Sequence, residues 1–245
     1  MKLVILAAGK GKRMGESSNY TPKPILKYKG KTLIQHKLEQ IPTGIEEIII
    51  VIGHLGEKIV EAVGHSWVNS DGDGGATATD TKSIPITYVL QKEQLGSAHS
   101  LWQAKDAVGD SPFLVLMGDD LYSKSDLEDM ITLYTQNPQS WIALIEPQEA
   151  HIPYGKSILD KDGYLIDFRN DPNKEVLENL MYTGACLLTP DIFKLPLVKI
   201  SETEYGLPHT FVQEGRHALV SSGKLNIPIV KTTYWKRITT PEDLV

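Results

Sequence analysis

Residues 2–14 read KLVILAAGKGKRM, which joins an apolar run to a glycine-rich, basic turn. The run Lys2–Ala7 is almost continuously aliphatic, as is typical of a strand buried on both faces in a parallel sheet. Gly9 and Gly11 let backbone amides turn towards a ligand without Cβ clashes, and consecutive amides of this kind bind anions. Three basic side chains lie in the same turn: Lys10, Lys12 and Arg13. The segment therefore predicts a phosphate-binding turn after the first strand, with a solvated surface turn as the alternative.

Two standard phosphate-binding motifs do not fit this turn. The dinucleotide motif G-x-G-x-x-G needs a small third residue for close helix packing, and Met14 stands at that position. The P-loop motif G-x-x-x-x-G-K-[ST] has no match here. A nicotinamide-dependent oxidoreductase is therefore disfavoured.

Apolar runs alternate with helical patterns over residues 1–147. The predicted strands are Lys2–Ala7, Glu47–Ile52, Ile86–Leu90, Phe113–Met117 and Trp141–Ile145. The predicted helices are Thr32–Gln40, Gly56–Val63, Ser97–Ala107 and Ser123–Tyr134, with Ser123 as a cap. This alternation predicts an α/β fold with a doubly wound, mostly parallel sheet, in which ligands bind beyond the carboxyl ends of the strands. The Gly-, Asp- and Thr-rich stretch Asn69–Ser83 predicts a loop.

Residues 148–245 have a different pattern and predict a mixed β/α extension of the same core. The predicted elements are strands at Gly155–Leu159, Tyr164–Phe168 and Met181–Leu188, a helix at Leu207–Ser222, and one or two strands within Leu225–Tyr234 around Pro228. The pair Asp162-Gly163 is a hairpin signal. We expect one domain over residues 1–245, made of the halves 1–147 and 148–245.

Composition excludes several classes of protein. The formal net charge of −6 over 245 residues disfavours a general nucleic-acid-binding protein. Cys186 is the single cysteine, so an intrachain disulfide and a multi-cysteine metal site are excluded. No apolar stretch reaches the roughly 20 residues that span a bilayer, and the N-terminus lacks the pattern of a signal peptide. We expect a cytoplasmic protein with no membrane partner.

A lysine on a stiff segment forms the second candidate feature. Lys23 lies between Pro22 and Pro24, which restrict the backbone on either side of it. A lysine held in this way is a pre-positioned charge suited to phosphate, and an ordinary loop lysine is the alternative.

Polar residues also follow the third predicted strand. The amide of Gln91 can hydrogen-bond the edge of a nucleobase. Gly96 permits close approach of a ligand, and Ser97 can cap the next helix. The alternative is that Ser97 is only a cap and Gln91 only a polar strand end.

Two carboxylates follow the fourth predicted strand at Gly118-Asp119-Asp120. Carboxylates at such a strand end can hold Mg²⁺, and an acidic loop is the alternative. Six of the seven histidines, all except His99, show no spacing typical of metal ligands or of a catalytic triad. We interpret these six as structural or solvated: His36, His54, His65, His151, His209 and His217.

Together these segments resemble the sugar-1-phosphate nucleotidyltransferase family, and are most similar to the uridylyltransferase domain of the bacterial N-acetylglucosamine-1-phosphate enzyme. The resemblance runs from Lys2 to the closing Thr-Pro-Glu-Asp-Leu and is densest over residues 3–120. The motifs that carry it are Gly9-Lys10-Gly11-x-Arg13-Met14, Gly53-His54, Gln91-x-Glu93-Gln94-Leu95-Gly96-Ser97, Gly118-Asp119, Tyr154-Gly155 and Tyr182-Thr183-Gly184.

The resemblance implies a Rossmann-like fold of the nucleotide-diphospho-sugar transferase type and gives roles to single residues. The nucleotide would contact Leu6, Ala7, Ala8, Gly9, Gly11, Gln91, Gly96, Ser97 and Gly118. The catalytic residues would be Arg13, Lys23 and Asp119, with Asp119 also the ligand of the cofactor Mg²⁺. The sugar phosphate would contact Gly155, Arg169, Asn170, Tyr182 and Thr183. The half 1–147 would thus bind the nucleotide, and the half 148–245 the sugar phosphate.

Three positions depart from the pattern of that family. Arg237 stands where many members carry a second metal-binding Asp in the motif Trp-x-Asp, and a guanidinium cannot ligate a cation. The stretch Arg169-Asn170-Asp171-Pro172 stands where Glu-Lys-Pro is frequent, and Tyr182 stands where Asn is usual. The nucleotide half therefore matches well, whereas the acceptor half is altered.

The resemblance implies an Mg²⁺-dependent enzyme that joins UTP or dTTP to glucose-1-phosphate or N-acetylglucosamine-1-phosphate and releases pyrophosphate. One alternative is cytidylyl or guanylyl transfer to another sugar phosphate or to a non-sugar phosphate. The other is a non-catalytic subunit that senses a nucleotide or a sugar. The expected partners are the two substrates and, in a homo-oligomer, further copies of the chain.

Overall fold

A computed structural model describes residues 1–11, 13–15, 20–68, 83–138, 141–147, 156–169, 180–214 and 227–245. Over these residues the strands are β1 (Lys2–Leu6), β2 (Lys27–Tyr28), β3 (Lys31–Thr32), β4 (Glu47–Ile52), β5 (Ser66–Val68), β6 (Ser83–Leu90), β7 (Phe113–Met117), β8 (Asp120–Tyr122), β9 (Ile142–Pro147), β10 (Lys156–Leu159), β11 (Leu165–Arg169), β12 (Leu180–Leu188), β13 (Ile229–Lys231) and β14 (Trp235–Arg237). The helices are α1 (Leu33–Leu38), α2 (Gly56–Val63), α3 (Gly96–Gln103), α4 (Lys105–Val108), α5 (Lys124–Gln136) and the short α6 (Leu207–His209).

A mixed sheet organises the molecule, in the order β11-β10-β12-β7-β1-β4-β6-β5. Its central strands β7, β1, β4 and β6 are parallel, with Leu6 opposite both Val51 and Met117. The flanking strands β5, β12, β10 and β11 are antiparallel to their neighbours. The centre of the sheet is therefore parallel, as the aliphatic runs predicted.

Helices cover both faces of this sheet. On one face, Val4 and Leu6 of β1 pack with Ala98 and Leu101 of α3. On the other face, Leu3 and Ile5 share a core with residues of α1, α2 and α5: Ile34, Leu38, Ile59, Leu127 and Met130. Because successive side chains of a strand point to opposite faces, the run in β1 supplies both cores at once. The predicted doubly wound α/β fold is confirmed.

The two halves of the chain alternate within the sheet. Strand β12 lies antiparallel between β7 and β9, with Cys186 opposite both Val115 and Ala143. Strand β13 adds to β9 in parallel. The hairpin predicted at Asp162-Gly163 joins β10 to β11, and Gly163 adopts the positive φ of +86° that such a turn requires.

Several predicted elements differ from the observed ones. The predicted helix Ser97–Ala107 begins one residue earlier and is interrupted at Ala104, giving α3 and α4. Ser83 starts β6 and does not belong to the predicted loop, whose residues 69–82 lie outside the described residues. The predicted helix from Leu207 continues after α6 as a π-helical turn over Thr210–Glu214, and its residues 215–222 lie outside the described residues.

Several short strands were not predicted from the sequence. These are the hairpin β2–β3, the edge strand β5, and the pair β8–β14. Each is two or three residues long, which is too short for a recognisable periodicity. No described helix combines the length and the apolar character that crossing a bilayer would need.

Two glycines permit a close approach at the carboxyl end of β1. A Cβ on Gly118 would lie 2.6 Å from the carbonyl oxygen of Leu6, and one on Gly53 would lie 2.7 Å from that of Ala8. The chain leaving β1 is thus confined between the loops that follow β4 and β7, and its path is fixed by backbone contacts.

We expect Gly118→Ala to lower the free energy of unfolding by about 1–3 kcal/mol, because its methyl group meets backbone atoms that cannot move independently. Gly9→Ala is the matched control, since a Cβ on Gly9 has no atom within 4 Å. Its stability should remain within about 0.5 kcal/mol of the wild type. Urea unfolding of the three proteins measures the difference, and equal stability of the Gly118 variant would contradict this account of the close approach.

Candidate active site

A cavity of about 460 Å³, here called the first cavity, opens at the carboxyl ends of the parallel strands. It is bordered by the loop after β1, the end of β7 and the start of α3. All twelve residues predicted for the nucleotide and for catalysis line it: Leu6, Ala7, Ala8, Gly9, Gly11, Arg13, Lys23, Gln91, Gly96, Ser97, Gly118 and Asp119. The structure therefore brings together residues from five separate segments of the sequence.

A second cavity of about 280 Å³ adjoins the first. The two share four lining residues, here called the junction residues: Arg13, Ser97, Met117 and Asp119. Of the residues predicted for the sugar phosphate, Tyr182 and Thr183 line the second cavity. Gly155 and Asn170 lie outside the described residues, and only the backbone of Arg169 is described, at the end of β11.

Lys23 and Asp119 are paired with each other. Lys23 lies in a short 3-10 turn over Lys23–Ile25 and is only 7% exposed. Its ammonium group lies 2.5 Å from a carboxylate oxygen of Asp119 and also donates to the carbonyl of Ile238. The predicted phosphate-binding cation and the predicted metal ligand thus neutralise one another at the edge of the first cavity.

Asp120 is part of a strand and does not belong to an acidic loop. In β8 it lies opposite Arg237 of β14, and its carboxyl group accepts a hydrogen bond of 3.2 Å from the indole of Trp235. Burial, together with the neighbouring Asp119 carboxylate, raises the pKa of Asp120 to about 7. Lys37 and Arg237 oppose this rise.

Lys37 lies beneath these carboxylates. It is almost completely buried, and its ammonium group donates to the backbone carbonyl of Asp120. Burial lowers the pKa of Lys37 to about 8, although the carboxylates of Asp120 and Asp119 favour its charged form. The floor of the junction is therefore a buried network of opposite charges.

The donor set near Asp119 suits a metal ion that arrives with phosphates. The side chain of Asp119 is 31% exposed and faces both cavities. Within the described parts of the chain, no group of three or more His, Cys, Asp or Glu side chains gathers into a preformed site. Mg²⁺ is commonly held by one or two carboxylates together with the phosphates of a substrate, and Asp119 fits that arrangement.

Ser97 does not cap α3, so this part of the prediction is wrong. The helix begins at Gly96, and the Ser97 hydroxyl accepts a hydrogen bond of 3.0 Å from the backbone amide of Leu207. Gly96 has a φ of +93°, and a Cβ there would lie 2.5 Å from the carbonyl oxygen of Tyr205. The pair Gly96-Ser97 therefore anchors the segment that leads into α6.

Gln91 is buried in the wall of the first cavity. Its amide nitrogen lies 3.0 Å from Nδ1 of His99 and 3.4 Å from the carbonyl oxygen of Gly96. The amide is therefore held in a fixed orientation, as a group that reads a ligand must be.

Tyr182 and Thr183 make contacts within the protein. The Thr183 hydroxyl donates to the carbonyl of Leu144 over 2.9 Å. The ring of Tyr182 packs in an aromatic cluster, with ring centroids 5.0 Å from Phe168 and 5.7 Å from Phe211. These side chains shape the wall of the second cavity.

Sequence reasoning missed other residues of the second cavity: Phe168, Met181, Leu207, Pro208, His209 and Trp235. The sequence predicts His209 to be structural or solvated, because it shows no spacing typical of a metal ligand or a catalytic triad. One signal could have identified Trp235 as a residue of the site. Trp235 and Arg237 stand two residues apart in one strand, and such residues point to the same face.

The sequence matches the nucleotidyl transferase family over residues 2–245. The chain belongs to this family, and the predicted family resemblance is confirmed.

Relatives support the same assignment. The chain is 30% identical over 246 residues to the bifunctional protein GlmU of Methanococcus maripaludis, covering 100% of this chain and 53% of that protein. It thus spans about half the length of that relative. It is 28% identical over 250 residues to the UTP–glucose-1-phosphate uridylyltransferase AglF of Haloferax volcanii, covering 99% of this chain and 93% of that protein. A structure of apo UDP-glucose pyrophosphorylase is similar in fold, with a TM-score of 0.77 at 22% identity, over 100% of this chain and 95% of that one.

The raised pKa of Asp120 predicts that the stability of the protein depends on pH. Because its pKa is about 7 in the folded protein and 3.8 as the ordinary value, the folded state binds more protons between about pH 4 and pH 7. Its contribution to stability is therefore present below this window and is lost as the pH rises through it.

The isosteric variant Asp120→Asn cannot ionise, so its free energy of unfolding does not lose this contribution. As the pH rises from about 4 to about 7, the stability of Asp120→Asn relative to the wild type should increase by at least about 1 kcal/mol. Asp110→Asn, at an exposed turn, is the control and should follow the wild-type curve. Unfolding free energies measured across the window test the sign, and a constant difference between Asp120→Asn and wild type would refute it.

Proposed function

We propose that this chain transfers a nucleotidyl group to a sugar-1-phosphate. UTP or dTTP is the donor, glucose-1-phosphate or N-acetylglucosamine-1-phosphate the acceptor, and a nucleotide sugar and pyrophosphate the products. One observation carries the proposal: two adjoining cavities share Arg13, Ser97, Met117 and Asp119. Two anionic reactants bound in these cavities meet at a point where the protein supplies cations.

The names of the relatives support this reaction type. The relative in Haloferax volcanii is called a UTP–glucose-1-phosphate uridylyltransferase. So is one in Staphylococcus saprophyticus, 33% identical over 213 residues and covering 78% of this chain and 72% of that protein. A putative glucose-1-phosphate thymidylyltransferase of Bacillus anthracis is similar in fold, with a TM-score of 0.71 at 23% identity, over 100% of this chain and 92% of that one. UTP and dTTP present the same pairing edge to a protein, so both remain in the proposal.

The reaction joins an oxygen of the sugar phosphate to the α-phosphorus of the triphosphate. The bond from that phosphorus to the β-phosphate oxygen breaks, and pyrophosphate leaves with the electron pair. Two unit charges about 4 Å apart repel by about 4 kcal/mol at an effective dielectric near 20. Offsetting this repulsion is the main electrostatic task of the site.

The residues at the junction are suited to that task. Arg13 lines both cavities and stabilises the charge that develops on the departing pyrophosphate. Lys23 is held by Asp119 and the carbonyl of Ile238, so its charge lies in a fixed place beside the phosphates. Mg²⁺ held by Asp119 and the phosphates would supply further positive charge. Alignment of the two reactants can itself contribute on the order of 7–11 kcal/mol.

The backbone after β1 binds and orients the donor. A Cβ on Gly9 would stand in open space, so the backbone there faces the first cavity directly. Gly11 has a φ of +63°, and its carbonyl accepts from the amide of Met14, which closes a tight turn. Amides of such a turn bind phosphate oxygens.

The first experiment is a grid of nucleoside triphosphates against sugar phosphates with Mg²⁺, read as release of pyrophosphate. We expect turnover with UTP or dTTP and a hexose-1-phosphate. Turnover only with CTP or GTP would show that the donor is not UTP or dTTP and would favour cytidylyl or guanylyl transfer. Nucleotide binding without turnover in any combination would reject the enzyme and favour the sensing subunit.

The second experiment removes the charge of Asp119. Asp119→Asn should lower turnover at least roughly 100-fold, because a residue that holds the metal and positions Lys23 acts directly on the transition state. Asparagine is preferred to alanine here, since the amide still accepts a hydrogen bond from the buried Lys23 ammonium group. Asp110→Ala, at an exposed turn beyond the opposite end of β7, is the control. Wild-type turnover in Asp119→Asn would remove Asp119 from the mechanism.

A further inference from the structure

His209 lies in the wall of the second cavity and has no role in the mechanism described above. It is the last residue of α6, directly after Leu207 and Pro208, and it is half-buried. The segment that carries it is anchored to α3 by the bond from the Leu207 amide to Ser97. His209 is therefore a polar ring at a fixed place in a cavity that is lined by apolar and aromatic side chains together with four charged ones.

One nitrogen of this ring faces the backbone. Nδ1 is buried and makes no hydrogen bond within the described structure. A Cβ on Gly206 would lie 2.8 Å from Nδ1, so this nitrogen faces the Cα–H group of Gly206. A proton on Nδ1 would point at these hydrogens, whereas a lone pair there accepts a weak C–H···N contact. We therefore assign the proton of the neutral ring to Nε2.

The other nitrogen is the one that a ligand can reach. No hydrogen bond to His209 occurs among the described contacts, and Nε2 is not among the buried polar atoms that lack a partner. Because the ring is half-buried and lines the second cavity, we assign Nε2–H as the donor that a ligand in this cavity reaches. Burial lowers the pKa of His209, and the nearby Asp167 carboxylate only opposes that shift, so the ring is neutral at pH 7.

A neutral donor is matched to a neutral oxygen. Arg237 lines the same cavity and supplies positive charge for the acceptor's phosphate, whereas Arg13, shared with the first cavity, is assigned to the departing pyrophosphate. Asp167, close to His209, disfavours a second anion there. We propose that His209 donates its Nε2–H to a hydroxyl or amide-carbonyl oxygen in the organic part of the acceptor, and so determines which acceptor is used. This inference rests on the proposed nucleotidyl transfer.

Gly206 is needed to keep the ring in place. Its φ of −93° is accessible to any residue, so backbone conformation does not require glycine here. The requirement for glycine comes from the space around its Cα atom. A Cβ at this position would lie 2.7 Å from Cγ2 of Ile200 as well as 2.8 Å from Nδ1 of His209. Gly206→Ala should therefore move the imidazole and impair acceptor binding without removing any side chain that contacts a ligand.

Two substitutions of His209 separate binding from folding. Phenylalanine keeps a ring but has no nitrogen, whereas the side-chain amide of glutamine can place a donor near the position of Nε2. His209→Phe should raise KM for the hexose-1-phosphate roughly tenfold, with KM for the nucleotide changed less than about twofold. His209→Gln should restore part of the loss. His65→Phe, at an exposed ring that packs on Tyr88 and lines neither cavity, should match the wild type.

Thermal unfolding distinguishes a structural histidine from a binding one. Because His209→Phe removes a buried nitrogen that lacks a partner, its stability should equal or exceed that of the wild type. A destabilised variant with unchanged KM values would show that the ring is structural and would overturn the inference.

Long-range ¹H–¹⁵N NMR of the wild type, with the His209 signals assigned by their loss in His209→Gln, reads the tautomer directly. We expect the pyridine-type nitrogen to be Nδ1; a proton on Nδ1 would overturn the inference without affecting the proposed function. Unchanged acceptor KM in His209→Phe would do the same. An inactive wild type across the whole substrate grid would overturn both proposals together.

Discussion

The confinement of the chain after β1 is the constraint on which the rest of the structure depends. The amide of Ala7 bonds to the carbonyl of Val51, and the amide of Gly118 bonds to that of Leu6. With glycine at 53 and 118, the three loops approach closely: a Cβ on Gly118 would meet the backbone of Leu6 and Ala7, and one on Gly53 would meet the carbonyl of Ala8 and the side-chain amide of Gln94. The glycine-rich turn after β1 consequently starts from a fixed point between the loops that carry Gly53 and Gly118, the second of which leads into Asp119.

Charge is arranged around that fixed point in layers. Lys37 and Asp120 are buried beneath the cavities, Lys23 and Asp119 are paired at their edge, and Arg13 lines both. A buried pair of opposite charges holds its geometry because breaking it leaves an unpaired charge in a poorly solvated place. The electrostatic environment that two phosphates would meet is therefore organised before they bind, which is what catalysis by positioning and charge stabilisation requires.

The sequence was most informative where one local pattern determines one element. The bounds of β4, α2 and β7 agree with prediction because uninterrupted aliphatic runs and a single amphipathic turn pattern suffice to define them. It was least informative where distant segments meet. Three contacts are present in no local pattern. They are the pairing of β8 with β14, the hydrogen bond from the Leu207 amide to the Ser97 hydroxyl, and the packing of Nδ1 of His209 against Gly206. The residues of the first cavity also come from distant segments, but they were predicted together because the family resemblance names them, whereas most of the second cavity was missed.

Binding of a polyanion by the turn after β1 is the central claim, and titration calorimetry tests it most directly. Nucleoside triphosphates with Mg²⁺ should release or absorb measurable heat at one site per chain, with an affinity that falls as salt is added because exposed charges are screened. The absence of heat with every common ribonucleoside and deoxyribonucleoside triphosphate would contradict the account.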